Sequence, residues 1–414
     1  MAGQVTSVFV QLLYFIVLAR LMGIMEYGKL GGAIALIAVA SQYSSLGSGL
    51  VFLRHVSPDL SRFSSYWGYI IMSTLTGGVF IVAGIVAASH WLLPSMAPLT
   101  ILFLALGDSF FAQITNGASR VFQTFERMQF TALSSLITNL LRLILAATLL
   151  FTVHHATVAI WAMASCTVSL ISSLIAVVAV TKMFGSPHFS VSLLRTHVRE
   201  GLLFSSTIST SSVYNDIDKV VLVHDGFAAA NGVYTAAYKA IDTAFMIVRS
   251  IHSAAFPRFC REGANGIRHS RAFALRILKK TAPLSLAMGA GLALFSPILP
   301  VIIGHNFASS IVVLRWLCLI PVFRACHLSA GDALAGAGFQ RYRFSYELGA
   351  AIFNLGINIW LIPLYSWKGA AIASLLTDGG LALVSWITVT SLTASASKAS
   401  QQMACDPVES VDVA

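Results

Sequence analysis

The chain has 414 residues, of which 57% are hydrophobic and 10% charged, with a mean hydropathy of +0.80. A soluble domain carries about 25% charged residues, so a water-exposed surface cannot be built from this composition and a soluble enzyme or binding module is excluded. The formal net charge of +10 is spread along the chain, and no nucleic-acid-binding fold fits between its apolar segments, so no nucleic acid is expected as a partner.

Apolar stretches of roughly 20 residues, enough to cross the hydrocarbon layer, recur along nearly the whole sequence without β-barrel alternation. In chain order the expected spans are Val5 to Met22, Leu30 to Leu53, Tyr66 to Ala88, Leu99 to Thr115, Thr131 to Val153 and Thr157 to Met183. They continue with Leu202 to His224, Asn231 to Phe256, Thr281 to Ile303, Ser309 to Ser329, Phe344 to Leu364 and Ala370 to Val389. The fold class is therefore all-α integral membrane, with about twelve transmembrane helices. The polar tail after Ala394 is expected to be disordered.

Short loops rich in Lys and Arg stay in the cytoplasm. Such loops follow the even-numbered spans and carry, among others, Arg54, Arg62, Arg120, Arg127, Lys182, Arg195, Arg199, Arg271, Arg341 and Arg343, whereas the opposite loops hold little more than Arg20, Lys29 and Lys368. Both termini are thus expected in the cytoplasm. Met1 to Gln4 has no positive n-region, so no cleavable signal peptide is expected. The segment Ile267 to Lys280 reads as a basic amphipathic helix suited to lie on anionic headgroups, with membrane lipids as partners.

An internal repeat organises the spans. Phe125, Arg127 and Phe130 precede the fifth span, Phe339, Arg341 and Phe344 precede the eleventh, and Asn139-Leu140 and Asn354-Leu355 follow at nearly equal distances. An even shift preserves orientation, so the chain reads as two parallel six-helix lobes around a central cavity, one of the arrangements transporters use. The expected division is residues 1–183 for the N-terminal lobe, 184–200 for a cytoplasmic linker, 201–393 for the C-terminal lobe and 394–414 for the tail.

Cys166, Cys260, Cys318, Cys326 and Cys405 form no CxxC, and the histidines, including the turn pair His154-His155, show no paired ligand spacing. No metal site, cofactor or catalytic residue is expected.

Several segments resemble one family. Ala19-Arg-Leu-Met-Gly-Ile-Met-Glu-Tyr-Gly28 is similar to the ARxLGxxxYG signature of the Wzx-type polysaccharide biosynthesis proteins, lipid-linked oligosaccharide flippases of the multidrug/oligosaccharidyl-lipid/polysaccharide exporter superfamily. Asp218-Lys-Val-Val-Leu and Gly232-Val-Tyr-Thr-Ala-Ala-Tyr238 resemble the opening of that family's second half, and Asn358-Ile-Trp-Leu-Ile-Pro363 with Lys368-Gly-Ala-Ala-Ile-Ala-Ser374 its penultimate hairpin. The resemblance implies a bacterial-type inner-membrane protein that moves a polyprenyl-diphosphate-linked glycan to the periplasmic leaflet by alternating access, in association with glycan polymerase machinery. Two other readings stay open, a cation-coupled drug antiporter of the same superfamily and a membrane polysaccharide polymerase or ligase. Short external loops and the lack of a nucleophile–base constellation weigh against the enzyme.

A flippase for a diphosphate-linked sugar needs cations inside its spans, where charge is costly enough to mark function. Arg142, Lys219, Lys239, Arg249, Arg315 and Arg324 lie there, and Ser135, Asn139 and Arg142 share one face of the fifth span. The substrate-binding candidates are Arg142, Lys219, Lys239, Arg249, Arg324 and Asn139. Asp216, Asp218, Asp242, Asp108 and Asp378 are the ion-coupling candidates, although Asp216 with Lys219 and Lys239 with Asp242 are spaced to neutralise each other. Arg142 has no carboxylate near it in sequence, which singles it out for substrate contact.

Overall fold

The computed structural model describes residues 2–153 and 155–405, and every regular element among them is helical. Met1, His154 and residues 406–414 lie outside the described residues. The elements are α1 (Ala2–Ser44), α2 (Ser48–Val56), α3 (Phe63–Leu92), α4 (Pro98–Ala105), α5 (Ala112–Thr124), α6 (Met128–Thr152), α7 (Val158–Phe184) and α8 (Val191–His224). After these come α9 (Ala228–Ala264), α10 (Ile267–Leu294), α11 (Ile298–Ile303), α12 (Ser310–Trp316), α13 (Ile320–Gly336), α14 (Gln340–Tyr365) and α15 (Trp367–Cys405).

Among the described residues, seven helices are long and apolar enough to cross a membrane, and an eighth candidate is the pair His305–Trp316 and Ile320–Gly336, bent by 48°. α8 and α9, at 34 and 37 residues, have the length to span but carry Asp216, Asp218 and Lys219, or Lys239, Asp242 and Arg249, within it. The first two expected spans meet inside α1, which breaks at Gly23 (φ 67°, ψ 177°). The second ends at Ser44 rather than Leu53, because Leu46 (φ 48°) and Gly47 (φ 65°) turn the chain into the separate helix α2. At the other end α15 continues to Cys405, past Ala394, where sequence composition places the start of a disordered tail.

The chain forms two compact units, Met1–Lys239 with Phe295–Arg315 and Asn354–Ala373, and Ala240–Leu294 with Trp316–Phe353 and Ser374–Ala414. In the first, α1 packs against α3, α6 and α8 around Phe15, Leu21, Leu30, Trp161 and Phe307. A second cluster joins Phe52, Trp67, Ile70 and Phe122 from α2, α3 and α5. Family signature residues carry part of this packing. A Cβ on Gly28 would lie 1.7 Å from the Ala228 carbonyl oxygen, and one on Gly232 2.1 Å from that of Ile24, so the two backbones approach as closely as they do only without side chains. The Asn231 amide donates to Gly28 O at 2.7 Å, and the Tyr234 hydroxyl donates to Asp218 Oδ2 at 2.5 Å.

In the second unit α10 packs along α13, with Phe259, Phe273 and Ala333 in one cluster. Within the expected amphipathic segment Ile267 to Lys280 the apolar face turns into the unit, while Arg268, Arg276, Lys279 and Lys280 are exposed. Phe273 is 4% exposed and packs on Phe259, flanked by the Arg258 and Arg276 guanidinium groups at 4.9 and 5.4 Å.

The repeat has a local structural counterpart in a shifted register. Before α6, Glu126 (φ 56°) precedes Arg127, whose N–H donates to Phe122 O; before α14, Gly338 (φ 83°) precedes Phe339, whose N–H donates to Leu334 O. The turns match each other, but Arg127 occupies the turn position of Phe339, two residues away from the pairing with Arg341 that the motif suggests. Both turns bond the N–H after a left-handed residue back to a carbonyl of the preceding helix, a common helix ending.

Candidate functional site

A cavity of about 510 Å³ lies within the first unit, between α1, α2, α5, α6, α7 and α8. Its wall is mostly hydroxyl and amide groups, among them Gln42, Gln113, Asn116, Ser135 and Asn139, with Arg120, Arg142 and Asp108 as the charged residues among those described. Two cations face one anion.

Asp108 sits in a π-helical stretch, Leu106–Phe111, that interrupts the run from α4 into α5. Inserting a residue into a helix shifts the faces after it, and such bulges gather at functional sites. Arg142 projects from α6 and donates through Nη2 to Asp108 Oδ1 at 2.5 Å and to Ser169 Oγ at 3.1 Å. Arg142 has no carboxylate near it in sequence, and its partner Asp108 lies 34 residues away. Arg142 Nε, Ser48 Oγ and Ser172 Oγ are buried polar atoms with no hydrogen-bond partner, and all three residues line this cavity.

Of the sequence candidates, the cavity brings together Arg142, Asn139 and Asp108. Elsewhere in the first unit, Lys219 Nζ donates to Asp216 Oδ1 and to Asn215 O, each at 2.7 Å, lies 3.7 Å from Asp218 Oδ1, and sits over the Tyr238 ring. Lys219 and Asp216 therefore neutralise each other, and Asp218 ties α8 to α9 through Tyr234. In the second unit Asp242 accepts from Arg324 Nη1 at 2.7 Å, and Arg324 also lies 3.7 Å from buried Asp378. Arg249 is exposed, 6.0 Å from the Phe245 ring centroid. Lys239 falls in the first unit and Asp242 in the second. Arg315 donates to Ser296 Oγ at 3.2 Å, and Arg20 donates to the Val301 and Ile302 carbonyls at the end of α11.

Sequence reasoning missed three things. Arg120 reads as a loop charge but lies inside α5 and lines the cavity. In the second unit His252 Nδ1 lies 2.8 Å from Asp332 Oδ2, and Arg343 bonds Glu347 at 2.9 Å and approaches Asp332 at 3.8 Å. In the first unit His55 and His197 converge on Glu200, each 3.2 Å from its Oε2. Burial would raise the Glu200 carboxyl, but hydrogen bonds from His55 and His197 and the charge of Arg54 outweigh it and hold the group below the usual carboxylate range. The spacing His197-x-x-Glu200 was the available signal for this cluster.

A sequence model of polysaccharide biosynthesis proteins matches residues 1–262, more than half of the chain. The chain belongs to this family. No curated protein matches this polysaccharide biosynthesis family member in sequence. Its fold is that of MOP-superfamily transporters. It is similar to the inward-facing conformation of a multidrug resistance MATE family transporter of that superfamily, with a TM-score of 0.76 at 16% identity over 93% of this chain and 96% of that one. It is similar to the lipid II flippase MurJ in an inward closed conformation, with a TM-score of 0.70 at 15% identity over 94% and 86% of the two chains. A third likeness is to a MOP-superfamily transporter from Pyrococcus furiosus, described as having a binding pocket of reverse polarity that suggests a different function, with a TM-score of 0.64 at 16% identity over 95% of each chain. These neighbours are transporters and flippases, and this family member is a multi-pass membrane protein of the same fold.

Proposed function

We propose that this protein is a flippase that moves a polyprenyl-diphosphate-linked oligosaccharide from the cytoplasmic to the periplasmic leaflet by alternating access, for assembly of a surface polysaccharide. The observation that carries this reading is the cavity with Arg120 and Arg142 against the single acid Asp108, walled by hydroxyls and amides. An anionic diphosphate needs donors and positive charge. A sugar needs many neutral hydrogen-bonding groups, and the wall offers both.

Arg142 is the central residue of the reading. Its planar guanidinium suits two phosphate oxygens at once, which an ammonium cannot match. With no substrate, Asp108 holds that guanidinium, so a mid-membrane cation is not left uncompensated. An incoming diphosphate competes with Asp108 for Arg142. Arg120, already bonded to Gln123 at 3.0 Å, supplies the second positive charge. The twelve-span topology with both termini cytoplasmic, and the two-lobe division, belong to the same proposal.

The test is surface glycan in a flippase-null host, normalised to protein level. Arg142→Ala should abolish export while Arg142→Lys keeps part of it, because the lysine preserves charge without the fork. Normal export by a well-expressed Arg142→Ala protein would remove Arg142 from the site. The drug-antiporter reading draws on Asp108 as a cavity acid. It requires that the protein confer resistance to cationic dyes and that Asp108→Asn abolish that resistance.

A further inference from the structure

Apart from the cavity, the first unit brings two histidines and a carboxylate together. His55 lies in the last turn of α2, and His197 and Glu200 lie one turn apart in α8. One ligand atom from each of the three side chains lies within 4.8 Å of the others. We propose that His55, His197 and Glu200 form a zinc site that fastens α8 to α2.

The distances from the two imidazoles to the carboxylate suit a tetrahedral ion. Zinc takes imidazole nitrogen and carboxylate oxygen at roughly 2.0–2.2 Å, which puts neighbouring ligand atoms of a tetrahedron about 3.3 Å apart. Both imidazole nitrogens are 3.2 Å from Glu200 Oε2. Two imidazoles and a carboxylate are a donor set that zinc favours over calcium or magnesium, which prefer oxygen alone.

The surroundings orient the ligands. Tyr66 Oη lies 3.1 Å from His197 Nε2, the outer hydrogen bond that leaves Nδ1 as the ligating atom. The Tyr66 ring also stacks on His55, with centroids 5.6 Å apart and planes at 19°. Arg54 holds the other carboxylate oxygen at 2.9 Å and, with 65% of its side chain exposed, is free to swing towards solvent when a cation arrives. The three ligands supply three of four positions, leaving the fourth to water. Tyr69 is fully buried, packs edge-on against His197, and its hydroxyl has no hydrogen-bond partner. That hydroxyl would lie 3.6 Å from a Cβ built on Gly201, next to Glu200.

The scaffold is held independently of any metal. A Cβ on Gly47 would lie 2.1 Å from Gly201 O, and one on Gly201 1.8 Å from Leu46 O, so the turn before α2 and the backbone of α8 touch directly. Ser205 Oγ adds a bond to Gln42 O at 2.7 Å. The ligands are therefore brought together before binding, which lowers the ordering cost of capturing an ion.

The experiment is equilibrium binding of Zn2+ to the full-length, tag-free protein in detergent after chelator treatment, with Co2+ as a visible-absorption probe of geometry. One ion should bind per chain, and Co2+ should show tetrahedral absorption. His55→Asn and His197→Asn should each weaken binding by more than the 10–100-fold typical of losing an outer-shell partner, and Tyr66→Phe by an amount in that range. His90→Asn, remote from the cluster, should bind as the parent does. Each variant is assayed only after eluting as a monodisperse peak. No stoichiometric Zn2+ binding by the parent, binding unchanged in His55→Asn and His197→Asn, or octahedral Co2+ absorption would each overturn the proposal. Should both histidine variants fail to fold, the parent's stoichiometry and Co2+ spectrum decide alone.

Discussion

Arg142 and Asp108 depend on each other. Two unit charges about 4 Å apart attract by about 4 kcal/mol at an effective dielectric near 20, and the partial exposure of both side chains, 22% and 27%, reduces that. Removing the acid should free the guanidinium for an anion. Purified Asp108→Asn is therefore expected to bind a short-chain prenyl diphosphate about tenfold more tightly than the parent, equivalent to about 1.4 kcal/mol. Unchanged or weaker binding, read by calorimetry, would mean that Asp108 does not compete with the ligand. At this scale the sequence revealed Arg142 and Asn139, because a cation in an apolar span stands out and residues three apart share a helix face. Asp108 as the partner of Arg142 was not legible, since the approach depends on the π-helical stretch Leu106–Phe111. Arg120 was hidden for a simpler reason: α5 runs to Thr124, beyond the point where hydropathy ends the span at Thr115.

At the level of elements, the family motifs turn out to be contacts between helices. Gly28 and Gly232 let the α1 and α9 backbones meet, and Asp218 with Tyr234 joins α8 to α9. Gly28→Val would drive a side chain into the Ala228 carbonyl, 1.7 Å from the new Cβ. Tyr234→Phe removes one hydrogen bond from a carboxylate that is 1% exposed, at a cost of about 1–3 kcal/mol. Thermal unfolding in detergent should fall most for Gly28→Val, less for Tyr234→Phe and not for Gly291→Ala, whose Cβ would meet nothing within 4 Å. An unchanged midpoint for Gly28→Val would contradict the packing. Which motif residues touch could not be read from the chain, because Asn231 and Gly28 are 203 residues apart. The register of the repeat escaped for a related reason: backbone conformation at Glu126 and Gly338 fixes the turns, while the aromatic and arginine pattern is two residues out of step.

For the whole molecule, low charge and recurrent apolar runs were enough to read an all-helical membrane protein, because a bilayer leaves helices as the simplest way to satisfy the backbone. α8 and α9 carry charges along their length: Lys219 pairs locally with Asp216, as their spacing suggests, whereas Asp242 meets Arg324, 82 residues away, only in the folded chain. The transporter fold is common to drug exporters and a lipid II flippase, so the cargo must be argued from the cavity. The most direct test is reconstitution of the protein into liposomes with a fluorescent polyprenyl-diphosphate-linked glycan in the inner leaflet, followed by its appearance in the outer leaflet. The account predicts transfer by the parent protein, none by Arg142→Ala, and no transfer of a neutral polyprenyl glycoside lacking the diphosphate. Equal transfer of the neutral lipid, or no transfer of the diphosphate by a folded parent protein that exchanges cationic dyes, would contradict it.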